Sequence, residues 1–330
     1  MTGSAHGPLR FVSTLCAFLA LSYLGGCAML LPQATALKEH WPDDLPQRVE
    51  LADVPFHAQR EYQCGPAALA MALNSVHVPV APDDLVKQVY LPERQGSLQV
   101  EMLAAPRRYG RVSYELAPRF DDVLREVAGG TPVIVLQDYG AWPIKIWHYA
   151  VVVGYDRAEG DMILRSGEKE RLSMPFPVFE YLWKKSGYWS MVVMPSGHVP
   201  ATASEQRYLD AVVAMERAAK PGAAQAAYAS AVRRWPANLT ARIGLANSHY
   251  ARGDLQLAEA ELREAQRQHP DSVVVLNNLA QTLSDEGRQE EALVLTDRAL
   301  GLKSPFAATV RETRDLILER MKSTPARVSR

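Results

Sequence analysis

The sequence predicts an α+β domain followed by an all-α domain built from helical repeats. In residues 50–196, segments with helical periodicity come first and short β-branched segments come later, an order typical of α+β folds. After residue 200 the composition shifts to Ala, Leu, Arg, Glu and Gln, and a 34-residue period appears. A fixed period of this length is typical of stacked helix pairs. We therefore expect two domains, at 50–196 and 203–322.

The composition limits the class of protein. The chain has 330 residues, of which 48% are hydrophobic and 22% are charged. This balance is typical of globular proteins, and the length allows two domains. The formal net charge is −1 and no basic stripe is present, which argues against nucleic-acid binding. The sequence has no P-loop, zinc-ligand cluster or dinucleotide fingerprint, so we expect no cofactor and no metal.

Residues 1–27 have the pattern of a targeting segment. Arg10 ends a short n-region, and residues 11–23 are apolar but too few to span a membrane stably. The Leu-Gly-Gly-Cys27 that follows resembles the lipobox of bacterial lipoproteins. This resemblance implies cleavage before Cys27, lipidation at Cys27 and a lipid anchor in the bacterial cell envelope. Ala28 then favours the outer membrane, facing the periplasm; an ordinary signal peptide or an uncleaved anchor is the alternative.

The cysteine count bears on the chemistry. The chain has three cysteines: Cys16 would leave with the signal, Cys27 would carry lipid, and Cys64 would remain as a thiol. An intramolecular disulfide is then impossible, in a compartment where disulfides are common. A lone thiol in an oxidising space is exposed to damage. Its presence there favours a working nucleophile.

The elements of the first domain follow from periodicity and turn residues. Residues 28–49 are predicted to be a tether that precedes the fold. Helices are expected at 64–76, 82–90, 98–109, 120–128 and 174–184. Strands are expected at 49–56, 132–136, 148–155, 161–164 and 188–194, with a hairpin that closes near 157–160.

Cys64 is predicted to lie in the first turn of a buried helix. Pro66 fits an early helical position, and the apolar run 67–73 that follows contains strong helix formers. A thiol at a helix N-terminus lies where partial positive charge favours the thiolate. The alternative is a small buried cysteine that simply packs.

His148 is the candidate base for this thiol. It opens a β-branched strand and follows an aromatic loop at 138–147. An imidazole has a suitable pKa near neutrality for activating a thiol. A structural histidine is the alternative reading, and His57 competes in sequence, although it lies only seven residues before Cys64.

Together these segments resemble the papain-like bacteriocin-processing (double-glycine) peptidase family. The resemblance rests on Gln59, on Cys64-Gly-Pro opening an apolar helix, and on His148 opening the strand that continues to Asp156. It covers residues 50–196 and implies a papain-like fold. It also implies a cysteine peptidase with Cys64 as nucleophile and His148 as general base and acid. An upstream glutamine would donate to the oxyanion: Gln59 is the expected donor, and Gln63 is less suited because it adjoins Cys64.

The residue that orients the imidazole departs from the pattern of this family. Its members usually place an Asp or Asn on the strand after the histidine strand. Closing the hairpin near 157–160 sets His148 opposite Ser166 to Lys169, within a residue or two. The orienting group is therefore Ser166, Glu168 or absent. A one-residue slip would turn either side chain to the other face.

The second domain resembles a tetratricopeptide-repeat array. Repeats are expected at 205–238, 239–272 and 273–306, with a capping helix at 307–321. Alanines 224, 258 and 292 occupy the same position in successive repeats. Small residues are expected there because paired helices cross closely at that position. Three repeats form a concave groove, and the resemblance implies that this groove binds a peptide or a protein partner.

The first functional hypothesis is a lipid-anchored cysteine peptidase whose repeats recruit a protein substrate or partner. The second is a non-catalytic interaction lipoprotein with a degenerate papain-like domain. Acyl transfer or amidase chemistry by the same Cys–His pair is a third, because the fold does not fix the acceptor.

Overall fold

The computed structural model describes residues 31–59, 62–219 and 222–323. The chain divides into two compact units, one of residues up to 105 and 115–193, the other of residues 106–114 and 194 onward. The expected fold class is confirmed: an α+β part with an antiparallel sheet is followed by an all-helical part.

The α+β part alternates helices and strands in a pattern close to the expectation. Its helices are α1 (Pro32–Glu39), α2 (Cys64–Ser75), α3 (Pro82–Val89), α4 (Gln99–Arg108), α5 (Phe120–Ala128) and α6 (Phe176–Lys184). Its strands are β1 (Arg48–Glu50), β2 (Tyr90–Leu91), β3 (Gly96–Ser97), β4 (Arg111–Glu115), β5 (Val133–Asp138), β6 (Trp147–Asp156), β7 (Asp161–Ser166), β8 (Lys169–Pro175) and β9 (Ser190–Pro195). The boundary between the two units crosses α4 and β4.

The sheet places β6 at the centre of the domain. The strands follow the order β9-β5-β6-β7-β8, and β1 pairs with β6. The pairing of β5 with β6 sets Gln137 opposite His148. Residues directly opposite in an antiparallel pair share one face of the sheet, so the side chain of Gln137 lies on the same face as the imidazole.

Helix α2 is the buried helix of this domain. All its residues from Gly65 to Leu73 are buried, and it contacts β6. A helix that is apolar on nearly every side is stable only when surrounded by protein. The predicted buried helix beginning at Cys64 is therefore confirmed.

The segment predicted as a tether differs from that expectation. Residues 32–39 form α1, in which Ala34 and Leu37 are buried. The N–H of Ala34 donates to Glu180 Oε2 at 2.6 Å, so a buried carboxylate of α6 caps the first turn of α1. Ala34 and Leu37 are too few apolar positions to predict a helix from periodicity, and the nearby prolines indicated a tether instead. Residues 1–27, with Cys27, lie outside the described residues; within the described ranges no helix is long and apolar enough to cross a membrane.

Four further differences concern strands. The strand expected at 49–56 is limited to β1, and the β2–β3 hairpin and β4 were not expected. Strand β8 was also missed, because most of its side chains are exposed and an exposed edge strand carries little apolar signal.

The second part consists of helices that pair as the 34-residue period predicts. They are α7 (Glu205–Ala218), α8 (Gln225–Arg234), α9 (Leu239–Ala251), α10 (Leu255–Gln268), α11 (Val273–Asp285), α12 (Gln289–Gly301) and α13 (Ala307–Ser323). The alanines in register at 224, 258 and 292 are all buried. Gly253 and Gly287 have φ of 81° and 84° at the turns within successive helix pairs, a conformation that favours glycine.

Candidate active site

Cys64 is the first residue of α2 and lines a pocket of about 970 Å³. Gln59 and His148 line the same pocket, as do Ser97, Trp147 and Glu168. The fold thus brings together the end of the approach loop, the N-terminus of α2 and the start of β6. The start of β6 lies more than 80 residues after the other two segments along the chain.

Burial has the largest effect on the pKa of the Cys64 thiol, which it raises. The backbone N–H groups of Tyr149, Gly65 and Cys64 itself act in the opposite direction and lower this pKa. These donors stabilise the thiolate, but burial disfavours the charged form more strongly. The net result is that burial raises the pKa of Cys64 above its ordinary value.

Close packing fixes the position of the α2 N-terminus. A Cβ added at Gly65 would lie 2.3 Å from Ser97 Oγ and 2.7 Å from Ser97 Cβ. Only glycine lets β3 approach α2 this closely. The Gly-Pro pair after Cys64 therefore serves packing as well as helix initiation.

The imidazole of His148 is partly buried and has one hydroxyl partner. Its Nε2 lies 2.9 Å from Ser166 Oγ, and the ring of Tyr139 meets it edge-on with centroids 5.4 Å apart. Burial lowers the pKa of His148 to about 4. The imidazole is therefore neutral at pH 7.

Cys64 and His148 share the pocket without a hydrogen bond between them, as far as the described residues record. With the pKa of the thiol raised and that of the imidazole lowered, the resting pair is a thiol and a neutral imidazole. Hydrogen bonds between catalytic groups often form only when substrate is bound. This resting state differs from the thiolate that the helix N-terminus alone would favour.

Gln59 holds three segments together. Its Nε2 donates to the carbonyl of Tyr149 at 3.0 Å, and its Oε1 accepts from the N–H of Gly167 at 3.0 Å. Its own backbone N–H donates to the carbonyl of Gly167 at 3.0 Å. The approach loop, β6 and the turn that follows Ser166 are thus tied to one another. The second N–H of the amide is the one that could meet an oxyanion.

The other candidates occupy different places. Glu168 is exposed and lies on the pocket wall, and no hydrogen bond joins it to His148 within the described ranges. His57 bonds to Asn74 Oδ1 at 2.9 Å, near the C-terminal end of α2. Gln63 precedes α2 as its N-cap residue and has no side-chain cap bond.

Comparisons with known proteins agree with this architecture. Residues 51–190 match the family described as Peptidase_C39 like family. The chain carries a C39-peptidase-like domain. Residues 209–273 and 244–305 match the tetratricopeptide repeat, so this C39-like domain is followed by such repeats.

One solved structure similar to the C39-like domain comes from Bacillus anthracis and is described as a C39-like peptidase. It is 16% identical, with a TM-score of 0.38, and the match covers 45% of this chain and 98% of that one. At these values the likeness supports no conclusion about activity. No curated protein matches this chain.

A buried acid that the sequence reasoning did not select organises the loop beside the pocket. Asp138 Oδ1 accepts from the N–H groups of Gly140 and Ile146 at 2.9 and 3.0 Å, and Oδ2 pairs with Lys145 at 3.0 Å. Burial alone would raise the pKa of Asp138, but these bonds outweigh it and lower the pKa below its ordinary value. The loop at 139–147 of the C39-like domain is therefore fixed at both ends.

Two polar side chains near His148 were also missed. The ring of Tyr139 meets the imidazole edge-on, and Tyr139 Oη donates to Gln137 Oε1 at 3.2 Å. Gln137 is fully buried within the apolar strand β5. A glutamine directly after the apolar run Val-Ile-Val-Leu, in the same strand, is the signal that could have found it, because a buried amide needs polar partners.

Proposed function

We propose that this protein is a cysteine peptidase with Cys64 as nucleophile and His148 as general base and acid. One observation carries the proposal: a thiol at a helix N-terminus and a histidine held by a hydroxyl line the same pocket. The match of residues 51–190 to a peptidase family supports it. Nucleophilic cysteine chemistry needs this pairing of a thiol with a nearby base.

The proposed reaction begins when His148 takes the S–H proton of Cys64. Because Ser166 contacts Nε2, the accepting nitrogen is Nδ1. The sulfur attacks the amide carbonyl carbon, a C–S bond forms, and the carbonyl π electrons move to oxygen. The backbone N–H of Cys64 and the free N–H of the Gln59 amide stabilise this oxyanion.

The tetrahedral intermediate then collapses. The C–N bond breaks, and the leaving nitrogen takes the proton that His148 received. Water attacks the resulting thioester while His148 accepts one of its protons, and the sulfur leaves and regains that proton. Ser166 orients the imidazole throughout, and Glu168 is the less favoured orienting group because it is exposed.

A peptide library digested by the purified protein tests this proposal. New peptide termini read by mass spectrometry are expected, with their loss in Cys64→Ala and His148→Ala. His57→Ala serves as the matched control, because that ring bonds to Asn74 outside the pocket. Cleavage that survives Cys64→Ala would contradict the assignment.

The alternative function is a non-catalytic interaction protein. The raised pKa of Cys64 and the neutral hydroxyl in place of an orienting carboxylate favour it. If no peptide is cleaved, while a protein partner binds equally to wild type and Cys64→Ala, this alternative replaces the peptidase. If cleavage is replaced by transfer to an added amine, the reaction is acyl transfer.

We also propose that Cys27 carries lipid and anchors the protein to the envelope, facing the periplasm from the outer membrane. The Leu-Gly-Gly-Cys27 sequence supports this. The intact mass of membrane-extracted protein is expected to match a chain that begins at lipidated Cys27. A soluble, unmodified chain would contradict the anchor.

The repeats are proposed to recruit the protein substrate or partner. Helices α9 and α11 begin successive repeats, and between them Asn278 Nδ2 donates to Asn247 Oδ1 at 3.2 Å. Asn247 is exposed and Asn278 is half-buried. Amide groups of this kind suit the backbone of a bound peptide. Replacing both with Ala is expected to weaken partner binding and leave cleavage of short peptides unchanged.

A further inference from the structure

The pocket that contains Cys64 carries more positive than negative charge. Four charged side chains line it, namely those of Arg94, Lys145, Lys185 and Glu168. The whole chain has a net charge of −1, so the excess of cations is a local property. A cleft lined mainly by charges of one sign attracts ligands of the opposite sign.

The two lysines of the pocket differ in their partners. Lys145 pairs with Asp138 Oδ2 at 3.0 Å, so a carboxylate offsets its charge. Lys185 Nζ donates to the carbonyls of Asp138 and Gly140 at 3.1 and 2.9 Å, and lies 4.4 Å from the ring centroid of Tyr181. No carboxylate pairs with Lys185 in the part of the chain that the structure describes. Neutral groups therefore fix this ammonium in place without offsetting its charge.

Arg94 brings a second cation to the pocket from a separate segment. It ends the short turn Pro92–Arg94 between β2 and β3 and is exposed. Within the described ranges it also lacks a carboxylate partner. Arg94 and Lys185 are thus two cations, far apart in the sequence, that line one pocket and pair with no acid of the described chain.

The order of the strands separates the positive charge of Lys185 from the negative charge of Glu168. Lys185 bonds to the carbonyl of Asp138, the last residue of β5, whereas Glu168 lies in the turn between β7 and β8. Strand β6, with His148, lies between β5 and β7. A peptide that crosses His148 would therefore meet a cation on the β5 side and a carboxylate on the β7 side.

We infer that the pocket selects acidic peptides, and that Lys185, assisted by Arg94, binds a carboxylate of the substrate on the β5 side of His148. This inference rests on the proposed function, because it names the substrate class of the same pocket. Ammonium and guanidinium groups donate strong, charge-assisted hydrogen bonds to carboxylates. An acidic side chain and the C-terminal carboxylate of a peptide offer the same chemistry, and the experiments below separate them.

The charge selectivity of the pocket can be measured without a substrate. Iodoacetate and iodoacetamide alkylate the same sulfur, but only iodoacetate is an anion. The ratio of their rates at Cys64 is expected to fall about two- to fourfold in Lys185→Gln, as loss of one unit charge near the thiol does. Glutamine keeps an N–H for the loop carbonyls while it removes the charge.

Lys184→Gln is the matched control for this ratio. Lys184 precedes Lys185 in the chain, is exposed and does not line the pocket. Solvent and salt screen such a charge, so the ratio is expected to stay at the wild-type value. An unchanged ratio in Lys185→Gln, or an equal fall in both variants, would overturn the inference.

Peptide cleavage tests the substrate class directly. In a peptide that the wild type cleaves, each Asp or Glu is replaced in turn by Asn or Gln, and the C-terminus is amidated separately. One of these neutral peptides is expected to lose about tenfold or more in kcat/KM, as loss of a charged hydrogen bond does. The position of the loss shows whether the carboxylate is a side chain or the C-terminus. Equal cleavage of all these peptides would overturn the inference.

A charge-conserving variant separates carboxylate binding from support of the loop at 139–147. Lys185→Arg is expected to keep the preference for the acidic peptide, and Lys185→Gln to lose it. If Lys185→Gln instead lowers cleavage of the acidic and neutral peptides equally, Lys185 only supports the loop and the inference is wrong.

Failure of the inference is distinguishable from failure of the proposed function. If the alkylation ratio depends on Lys185 while no peptide is cleaved, the peptidase assignment fails and the pocket remains a carboxylate-binding site. If peptides are cleaved without preference for an acidic group, the peptidase assignment stands and the inference fails.

Discussion

Ser166 Oγ lies 2.9 Å from Nε2 of His148, across adjacent strands of the sheet. A hydroxyl orients the ring but brings no negative charge to stabilise an imidazolium. Burial therefore acts unopposed, and it lowers the pKa of His148 to about 4. The same burial raises the pKa of Cys64. The pocket therefore holds both Cys64 and His148 in their neutral forms.

The first prediction concerns alkylation of Cys64 by iodoacetamide in substrate-free protein. Because the pKa of this thiol is raised, the rate is expected to keep rising with pH above the ordinary thiol range of about 8.5. The modification is quantified on the tryptic peptide that follows Arg60, which excludes Cys16 and Cys27. A rate plateau near pH 6 that disappears in His148→Ala would instead indicate a thiolate–imidazolium pair.

The second prediction concerns stability against pH. The pKa of His148 is about 4 when folded and 6.5 as a reference value, so between these values the unfolded chain binds the extra proton. The stability due to the neutral buried ring is fully present above pH 6.5. It is lost as the pH falls toward 4, by up to about 3 kcal/mol before partial solvent exposure is considered.

In His148→Gln, the free energy of unfolding is expected to fall less between pH 7 and pH 4.5 than in wild type. Urea unfolding at each pH measures this difference. The control is His77→Asn: His77 is exposed and has a φ of 60°, which Asn tolerates. If both variants keep the wild-type slope, burial of His148 does not govern this pH range.

The third prediction concerns the close approach of α2 and β3. Gly65→Ala would set a Cβ 2.3 Å from Ser97 Oγ, so it is expected to destabilise the domain by about 1–3 kcal/mol. Adding Ser97→Gly removes the clashing side chain and is expected to restore most of the thermal stability. No rescue by the second change would show that another contact is responsible.

The fourth prediction concerns the loop at 139–147. Asp138→Ala removes the acceptor for two backbone N–H groups and the partner of Lys145, so it is expected to cost about 1–3 kcal/mol. Hydrogen exchange at the amides of Gly140 and Ile146 should become faster. Asp156→Ala is the matched control, because Asp156 also accepts from two backbone N–H groups but in a turn at the surface. If the two substitutions lower stability equally, Asp138 has no special role in fixing the loop.

Much of the architecture could be predicted because it depends on local patterns. The apolar run after Cys64 required a buried helix, and the helix bounds agree within a residue. The 34-residue spacing of alanines predicted buried helix crossings, which the structure contains. Strand β8 and helix α1 escaped because short, partly exposed elements carry little periodicity.

The sequence by itself determined the two kinds of domain, the helix that begins at Cys64 and the strand that begins near His148, since each follows from periodicity and residue type. It left the partner of the imidazole open between Ser166, Glu168 and no partner at all, because strand register was undetermined. Only the tertiary structure decided that Ser166 contacts His148, that Gln59 joins three segments, and that burial neutralises the reactive pair. Those properties arise from groups far apart in the chain, and no local pattern records which of them meet.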